Sequence, residues 1–540
     1  MPDAPKPARS LAGIAGIVAV ATLLSKVFGL VRQQAIAAAF GVGPAFDAYN
    51  YAYVIPGFLL ILLGGINGPF HSAMVSVLAK RDRRDSGPLV ETITTLVGIS
   101  LLIVTVLLVI FADPLIGLVA PGLDLTPTGQ ETRAIAVLQL RIMAPMALLA
   151  GLIGIGFGVL NAADTYWLPS VSPLFSSLAV IGGVGVLWWQ VGSQITSPQL
   201  AIVGGIVLAG STLLGAILQW VIQLPSQFRH GLAGLRLRFE WQRPEVQAVL
   251  KILGPATFSS GMLQINVYTD LFFASFIPQA AAGLGYAGLL VQTPLGILSN
   301  VILVPLLPVL SRLAEPEQWP ELKQRIRQGL FLTALLMLPL GALMAALAFP
   351  IVQLVYERGA FQTEATDLVA SLLVAYSIGM FVYLGRDVLV RVFYALGDGQ
   401  TPFRISIVNI FLNALFDWLL LKPFGAPGLV LATVGVNLVS LIALLWILHR
   451  RLKGLPLLPW GSWIALLSAW SFICGVLAYG AQLGLDRLWP AQNLILLIVK
   501  LAIASGVGLL AFALPVSRLP LPEVQQLRDR LLRRRQPVDS

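Results

Sequence analysis

Two basic side chains and one acidic side chain stand in an otherwise apolar stretch, residues 25–60. Lys26 and Arg32 are six residues apart, so one side of a helix can present both of them loosely. Asp47 follows a break at Gly-Val-Gly-Pro, residues 41–44. A charge near the centre of a bilayer is costly and usually faces a partner or a water-filled cavity, and transporters build substrate sites from broken helices around such charges. We therefore predict a substrate site at Lys26, Arg32 and Asp47; the alternative is that Lys26 extends to the interface and Asp47 begins an interfacial helix.

A second group of polar side chains lies in the apolar segments of the C-terminal half. Asn413 and Asp417 are four residues apart, so both share one helix face, and Asp270 and Thr433 lie in neighbouring apolar segments. Carboxylate, amide and hydroxyl oxygens without nitrogen or sulfur suit Na⁺ and disfavour transition metals. We predict a monovalent cation site at Asp270, Asn413, Asp417 and Thr433. A proton relay through the carboxylates and a purely structural network stay open as alternatives.

The composition indicates what kind of protein must position these groups. The chain has 540 residues, of which 57% are hydrophobic and only 11% charged. Soluble domains carry about 25% charged residues, so the sequence predicts an all-α polytopic membrane protein. Cys474 is the single cysteine, which excludes a disulfide framework, and the three histidines have no metal-ligand spacing. The chain contains no GxxxxGK[ST], HExxH or GxSxG motif, so we expect no enzyme and no cofactor beyond a bound Na⁺.

Hydropathy predicts about fourteen transmembrane helices, each about 20 apolar residues long. They lie at 11–39, 46–78, 89–112, 134–160, 169–190, 199–224, 246–276, 283–311, 325–350, 366–394, 402–421, 427–449, 462–483 and 491–514. Under this count the lysine- and arginine-rich loops all fall on one side, which predicts that both termini are cytoplasmic. The net charge of +10 is then a topology signal and not evidence of nucleic-acid binding. The apolar N-terminus resembles a signal peptide, but its helical pattern continues to Phe40, so we interpret it as an uncleaved first span.

The sequence also repeats weakly. Phe157 and Leu160 match Phe393 and Leu396 at one offset of 236 residues. Six spans separate the copies, so the halves share an orientation and should relate by a pseudo-two-fold axis along the membrane normal. The predicted organisation is a cytoplasmic N-terminus, an N-lobe of helices 1–6, a basic cytoplasmic linker, a C-lobe of helices 7–12, helices 13–14 and a basic cytoplasmic tail. These parts occupy residues 1–10, 11–224, 225–245, 246–450, 451–515 and 516–540.

Three segments carry a resemblance to a known family. The segments SKVFGLVRQQAIAAAFGVGPAFDAY, YERGAFQTEAT and RVFYALGDGQTPFRISIVNIFLN, in this order among fourteen spans, are similar to the MurJ (MviN) lipid II flippases of the multidrug/oligosaccharidyl-lipid/polysaccharide exporter superfamily. The resemblance runs from about residue 11 to 515. It implies two lobes that alternate between inward- and outward-open states, and a flippase that carries lipid II from the cytoplasmic to the outer leaflet of the plasma (inner) membrane.

The resemblance also implies roles for the residues singled out above. Lys26 and Arg32 would grip the cargo's pyrophosphate, Asp47 would match the acidic residue that opens span 2, and the second group would match the family's Na⁺ site. The family's arginines in spans 2 and 8 are replaced here by Leu60 and Leu289. A different polyprenyl-linked glycan, or a cation-coupled export of drugs as elsewhere in the superfamily, is therefore an alternative. We expect a monomer in contact with membrane lipids and the lipid-linked cargo, and no nucleic-acid partner.

Overall fold

The computed structural model describes residues 11–65, 68–78, 83–232, 236–251, 253, 265–490 and 493–525. Throughout these ranges the regular structure is helical and contains no strand. This follows from the composition, because a helix satisfies its own backbone hydrogen bonds inside an apolar solvent. The all-α prediction is confirmed. The chain divides into two compact units, unit 1 (Met1–Ala282 with Arg358–Phe361) and unit 2 (Gly283–Glu357 with Gln362–Ser540).

In the described residues, unit 1 contains eleven α-helices with defined bounds, a further helical segment, and the first three residues of the helix that begins at Ala280. They are α1 Leu11–Phe40, α2 Pro44–Gly64, α3 Pro69–Leu78, α4 Arg83–Ile110, α5 Ala112–Val119, α6 Pro127–Met143, α7 Met146–Ala162, α8 Trp167–Val191, α9 Ala201–Val221, α10 Leu224–Arg229 and α11 Ile265–Ala274, with 3₁₀ turns at Pro121–Leu125, Gly192–Thr196 and Pro198–Leu200. Residues 244–251 are also helical. The main core lies between α2, α6, α7 and α9, and a second core between α3, α4 and α7. Helix α1 packs on α8.

Unit 2 begins within α12, which runs from Ala280 to Arg312. The helices that follow are α13 Trp319–Ala346, α14 Ala348–Tyr356, α15 Thr363–Ala395, α16 Gln400–Phe424, α17 Ala426–Arg451, α18 Leu457–Leu488 and α19 Leu494–Val516, with a 3₁₀ turn at Pro316–Gln318. Helix α15 packs between α13 and α17, and α16 packs on α17. Helices α18 and α19 pack on each other, and α18 also packs on α13.

Eleven helices in the described part of the chain are long and apolar enough to cross a membrane, or twelve if the bent pair α6–α7 is counted as one crossing. The exact count of fourteen is therefore not confirmed. Predicted span 1 corresponds to α1, which is not among the eleven, and predicted span 7 (246–276) lies partly outside the described residues. Large apolar side chains such as Ile110, Trp189 and Ile495 are exposed, as expected for surfaces in contact with lipid.

Candidate functional site

The best-formed cationic feature of unit 1 is Arg32 on α1. Its side chain is partly buried and lies within electrostatic reach of Tyr49 and Tyr53 on α2. The two tyrosine rings stack with their centroids 5.2 Å apart, and the Tyr49 hydroxyl lies 3.2 Å from the Thr212 hydroxyl of α9. Among the described residues, no acceptor bonds the buried Nε of Arg32. A guanidinium with an unused donor beside two phenols can bind a phosphate through several hydrogen bonds.

Lys26 lies six residues earlier on α1 and is exposed. Within the described ranges, no carboxylate forms an ion pair with Lys26 or Arg32. Both side chains are therefore available to bind an anionic ligand. These two basic residues were predicted from the sequence, but the two tyrosines were not. Their spacing of four residues, in a helix that also carries Asp47, was the available signal.

The Asp47 carboxylate is bound to the start of α12. Asp47 is 4% exposed, and its Oδ1 accepts a hydrogen bond of 2.9 Å from the backbone N–H of Ala282. The backbone N–H groups of Gln279 and Ala281 also donate to this carboxylate. Unpaired N–H groups and the helix dipole make a helix N-terminus a favourable place for a negative charge. Asp47 therefore holds the first turn of α12, and its predicted part in a substrate site stays a prediction.

Three of the four predicted cation ligands come together in unit 2. Asn413 and Asp417 on α16 are fully buried, and the Asn413 amide donates to Asp417 Oδ2 over 2.9 Å. The Thr433 hydroxyl of α17 donates to Asn413 Oδ1 over 3.5 Å. Gly428 allows the close approach of the two helices, because a Cβ there would collide with the carbonyl oxygen of Leu420.

This donor set fits a monovalent cation. The groups are a buried amide, a buried carboxylate and a partly buried hydroxyl, and oxygen donors of this kind suit Na⁺. Within the described residues, no group of three His, Cys, Asp or Glu side chains could hold a metal ion. The fourth predicted ligand, Asp270, is a partly exposed residue of α11 in unit 1. The cation role of these four residues stays a prediction.

The polar contact between α16 and α17 continues beyond these residues. Asn409, one turn before Asn413, is buried and accepts a hydrogen bond of 2.8 Å from the Ser440 hydroxyl. Asn437 donates to the carbonyl oxygen of Thr433 over 2.8 Å. Asn409 and Ser440 were not predicted from the sequence, although Asn409, Asn413 and Asp417 repeat every four residues. We name these hydrogen-bonded residues the polar file: Asn409, Asn413, Asp417, Thr433, Asn437 and Ser440.

A separate charged cluster lies where α16 begins. Asp398 accepts hydrogen bonds from the backbone N–H of Thr401 (3.0 Å), the Thr401 hydroxyl (2.8 Å) and Arg451 at the end of α17 (2.6 Å). Burial alone would raise the pKa of Asp398, but these hydrogen bonds and the Arg451 charge outweigh it and lower the pKa below its usual value of 3.8. The cluster joins the ends of α16 and α17, the two helices that carry the polar file.

A model of the family described as "Lipid II flippase MurJ" matches residues 36–500, most of the chain. The chain belongs to the lipid II flippase MurJ family. It is 58% identical to a MurJ relative from Synechocystis sp., named "Probable lipid II flippase MurJ", over 97% of this chain and 98% of that protein. The family resemblance of the three sequence segments is confirmed. The positions of the two missing arginines are apolar, and Leu60 packs against both cores of unit 1.

Solved structures show the same fold. A structure titled as lipid II flippase MurJ in an inward closed conformation matches with a TM-score of 0.74 at 21% identity, covering 95% of this chain and 99% of that chain. A structure titled as an inward-facing multidrug resistance MATE family transporter of the MOP superfamily matches with a TM-score of 0.59 at 15% identity, covering 81% of this chain and 98% of that chain. At these identities the likeness concerns the fold alone, which MurJ proteins and drug exporters share.

Proposed function

We propose that this protein is a flippase that moves lipid II from the cytoplasmic to the outer leaflet of the plasma membrane by alternating access. The observation that carries the proposal is the identity of 58% along nearly the whole chain with a relative named as a lipid II flippase. Drug exporters resemble the chain at 15% identity only, which is likeness of fold, so drug export is not favoured.

The cargo's anionic group would be held by side chains of α1 and α2. Arg32 offers a planar fork of donors that matches two phosphate oxygens, and the phenols of Tyr49 and Tyr53 add hydroxyl donors. Lys26 adds a positive charge at an exposed position of α1. The Asp47 carboxylate would act indirectly, because it ties α2 to the first turn of α12.

We propose further that Asp270, Asn413, Asp417 and Thr433 hold a monovalent cation, most simply Na⁺. A bound cation supplies one positive charge beside the buried Asp417 carboxylate. Coupling requires that the cation bind one conformational state better than the other, since equal affinity shifts no equilibrium. Donors on separate helices meet this requirement, because sliding one helix removes a ligand.

We also propose an orientation of the protein in the membrane, its oligomeric state and its partners. Both termini face the cytoplasm, since the basic loops fall on one side of the predicted spans. The protein works as a monomer in the inner membrane, is not an enzyme, and has lipid II and membrane lipids as its partners, with no nucleic acid among them.

The decisive experiment is depletion of the protein in its host, with measurement of lipid II accessible from outside the cell. We expect accessible lipid II and growth to fall together, and both to recover with the wild-type gene. Unchanged accessibility with unchanged growth would refute the flippase proposal. Loss of another externally accessible polyprenyl-linked glycan, with lipid II unaffected, would assign that glycan as the cargo.

The cation proposal is tested with Asp417→Asn, which keeps the shape of the side chain and removes its charge. We expect Na⁺ affinity of the purified protein, measured by calorimetry, to fall at least about tenfold, because a close charge contact contributes several kcal/mol in a partly buried site. Asp367→Asn, at an exposed carboxylate of α15, is the matched control and should bind Na⁺ as the wild type does. Transport that ignores Na⁺ and follows the proton gradient at two pH values would favour the proton relay instead.

A further inference from the structure

A charged cavity of about 550 Å³ lies in unit 1, apart from the groups discussed above. Its polar lining comes from α5, the 3₁₀ turn after it, and α6. The polar residues are Asp113, Asp124, Gln130, Arg133 and Arg141, with Ala134 and Val137 between the two arginines. None of these residues has a part in the cargo or cation proposals. The cavity combines carboxylates from α5 and the 3₁₀ turn with arginines from α6.

The rim of the cavity is an ion-paired group of three side chains. Arg133 lies between two carboxylates, 3.1 Å from Asp113 Oδ1 and 3.3 Å from Asp124 Oδ1. Each of these aspartates is about half exposed. Arg133 partly neutralises the charge of the two carboxylates. Their oxygens therefore act mainly as hydrogen-bond acceptors for a ligand that carries hydroxyl groups. The Gln130 side chain donates to the Asp124 carbonyl oxygen over 3.2 Å and steadies the turn.

Arg141 lines the same cavity from a position further along α6. It lies on the same face of α6 as Arg133 and eight residues further, which is about 12 Å along the helix axis. Arg141 is exposed, and no carboxylate in the described ranges forms an ion pair with it. Side chains of a helix lean toward its N-terminus, so the guanidinium is directed back toward the rim. A charge inside a membrane-spanning segment is costly unless it binds a partner or faces a water-filled cavity.

We propose that this cavity binds the head group of a lipid whose phosphate is followed, toward the membrane surface, by hydroxyl groups. Arg141 holds the phosphate, and Asp113, Asp124 and Gln130 accept or donate hydrogen bonds to the hydroxyls. Two lipid sources share this chemistry, a phosphoglycerol lipid of the bilayer and a polyprenyl-pyrophosphate-linked glycan. On the proposed orientation the cavity opens in the outer leaflet, but the binding chemistry depends on neither the orientation nor the cargo.

The order of the groups along α6 supports this ligand. In a bilayer the phosphate of a lipid lies deeper than the hydroxyls of its head group. Arg141 lies within predicted span 134–160, whereas Asp113 and Asp124 lie between the predicted spans. A guanidinium binds a phosphate through two parallel hydrogen bonds, whereas carboxylates accept from hydroxyls and repel phosphates. A reversed ligand, with its anionic group outermost, would meet the two carboxylates first.

The test is lipid binding to the delipidated full-length protein in detergent, followed by native mass spectrometry. The probes are phosphatidylglycerol (phosphate and hydroxyls), phosphatidylcholine (phosphate without hydroxyls), a galactosyl diacylglycerol (hydroxyls without phosphate) and lipid II. We expect phosphatidylglycerol to bind more tightly than the second and third probes. Arg141→Gln should weaken its binding about tenfold, the loss expected for a charge-assisted hydrogen-bond pair. Arg141→Lys should give an intermediate loss and serves if the glutamine variant does not fold.

Arg487→Gln is the matched control, since Arg487 is an exposed arginine at the end of α18 and does not line the cavity. Equal losses in Arg141→Gln and Arg487→Gln, no loss in Arg141→Gln, or equal binding of phosphatidylcholine and phosphatidylglycerol would overturn the proposal. Displacement of phosphatidylglycerol by lipid II in the wild type assigns the site to the lipid-linked glycan. Absence of displacement assigns it to the bilayer lipid. Because no transport is measured, failure here leaves the flippase proposal to be judged by lipid II accessibility alone.

Discussion

Arg32 and Lys26 are both basic residues of α1, but their surroundings differ. Arg32 is partly buried and within electrostatic reach of Tyr49 and Tyr53, whereas Lys26 is exposed. We expect Arg32→Ala to weaken cargo binding about ten- to hundredfold, because it removes a bidentate charge-assisted contact. Lys26→Ala should cost less, since it removes a point charge from an exposed position. Binding of lipid II to the purified variants measures both losses. Complementation of a depleted strain, with membrane insertion checked by immunoblotting, shows their effect in the cell. Equal effects of the two variants would contradict a special role for Arg32.

Asp398 makes part of the stability of unit 2 depend on pH. Its pKa is lowered in the folded protein, against the effect of burial, by hydrogen bonds from Thr401 and by Arg451. A carboxyl group with a lowered folded-state pKa stabilises the fold above its unfolded pKa of about 3.8, and this contribution disappears as the pH falls through the lower, folded value. We expect Asp398→Asn to be less stable than the wild type at pH 6 and the difference to shrink below pH 4.

Thermal unfolding of the purified protein in detergent from pH 6 to pH 3 measures this difference. Asp367→Asn, at an exposed carboxylate of the same unit, should follow the wild type across the range. A stability difference between Asp398→Asn and the wild type that stays constant with pH would show that the carboxylate charge is not the cause.

At the scale of elements, a close backbone contact fixes the end of α1. The N–H of Ala360 donates to the carbonyl oxygen of Ala38 over 2.8 Å. Gly359 has a φ of 59°, and a Cβ on it would collide with the Ala38 carbonyl oxygen. We expect Gly359→Ala to destabilise the protein by about 2–4 kcal/mol, the sum of left-handed strain and overpacking.

Gly231 provides the matched control for this prediction. Its φ of 69° is also left-handed, and it follows the end of α10, but no atom would lie within 4 Å of an added Cβ. Gly231→Ala should therefore show the left-handed strain alone, about 1 kcal/mol. Thermal unfolding of the two variants separates strain from collision. Equal losses of stability would mean that the loop at Gly359 shifts without cost.

The spacing of residues in the sequence predicted contacts within one helix but not contacts between residues far apart in the chain. The interval of four residues placed Asn413 and Asp417 on one face, and the structure has them hydrogen-bonded. The partner of Asp47 is 235 residues away at Ala282, and no periodicity links the two. Hydropathy also misplaced some helix ends. Predicted span 134–160 corresponds to the bent pair α6–α7, which begins at Pro127. The first turns of α6 are polar, so a search for apolar segments does not detect them.

At the scale of the whole molecule, the fold class followed from composition, while the number of crossings did not. The proposed orientation can be tested by cysteine labelling from outside the cell, in a background where Cys474 is replaced; Cys474 is buried in any case. We expect labelling of Leu125→Cys and Arg487→Cys, and none of Arg229→Cys or Arg404→Cys, all at exposed positions. External labelling at 229 would reverse the orientation of the first six spans.

The polar file has a consequence for how the chain enters the membrane. Asn409, Asn413 and Asp417 form one stripe along α16 and are covered by α17. A solitary α16 leaving the translocon would present this stripe to lipid, where each unsatisfied polar group costs several kcal/mol. Gly425 joins the two helices in a single tight turn. Helices α16 and α17 should therefore insert as a hairpin, and a ribosome stalled before α17 has emerged should leave α16 unintegrated.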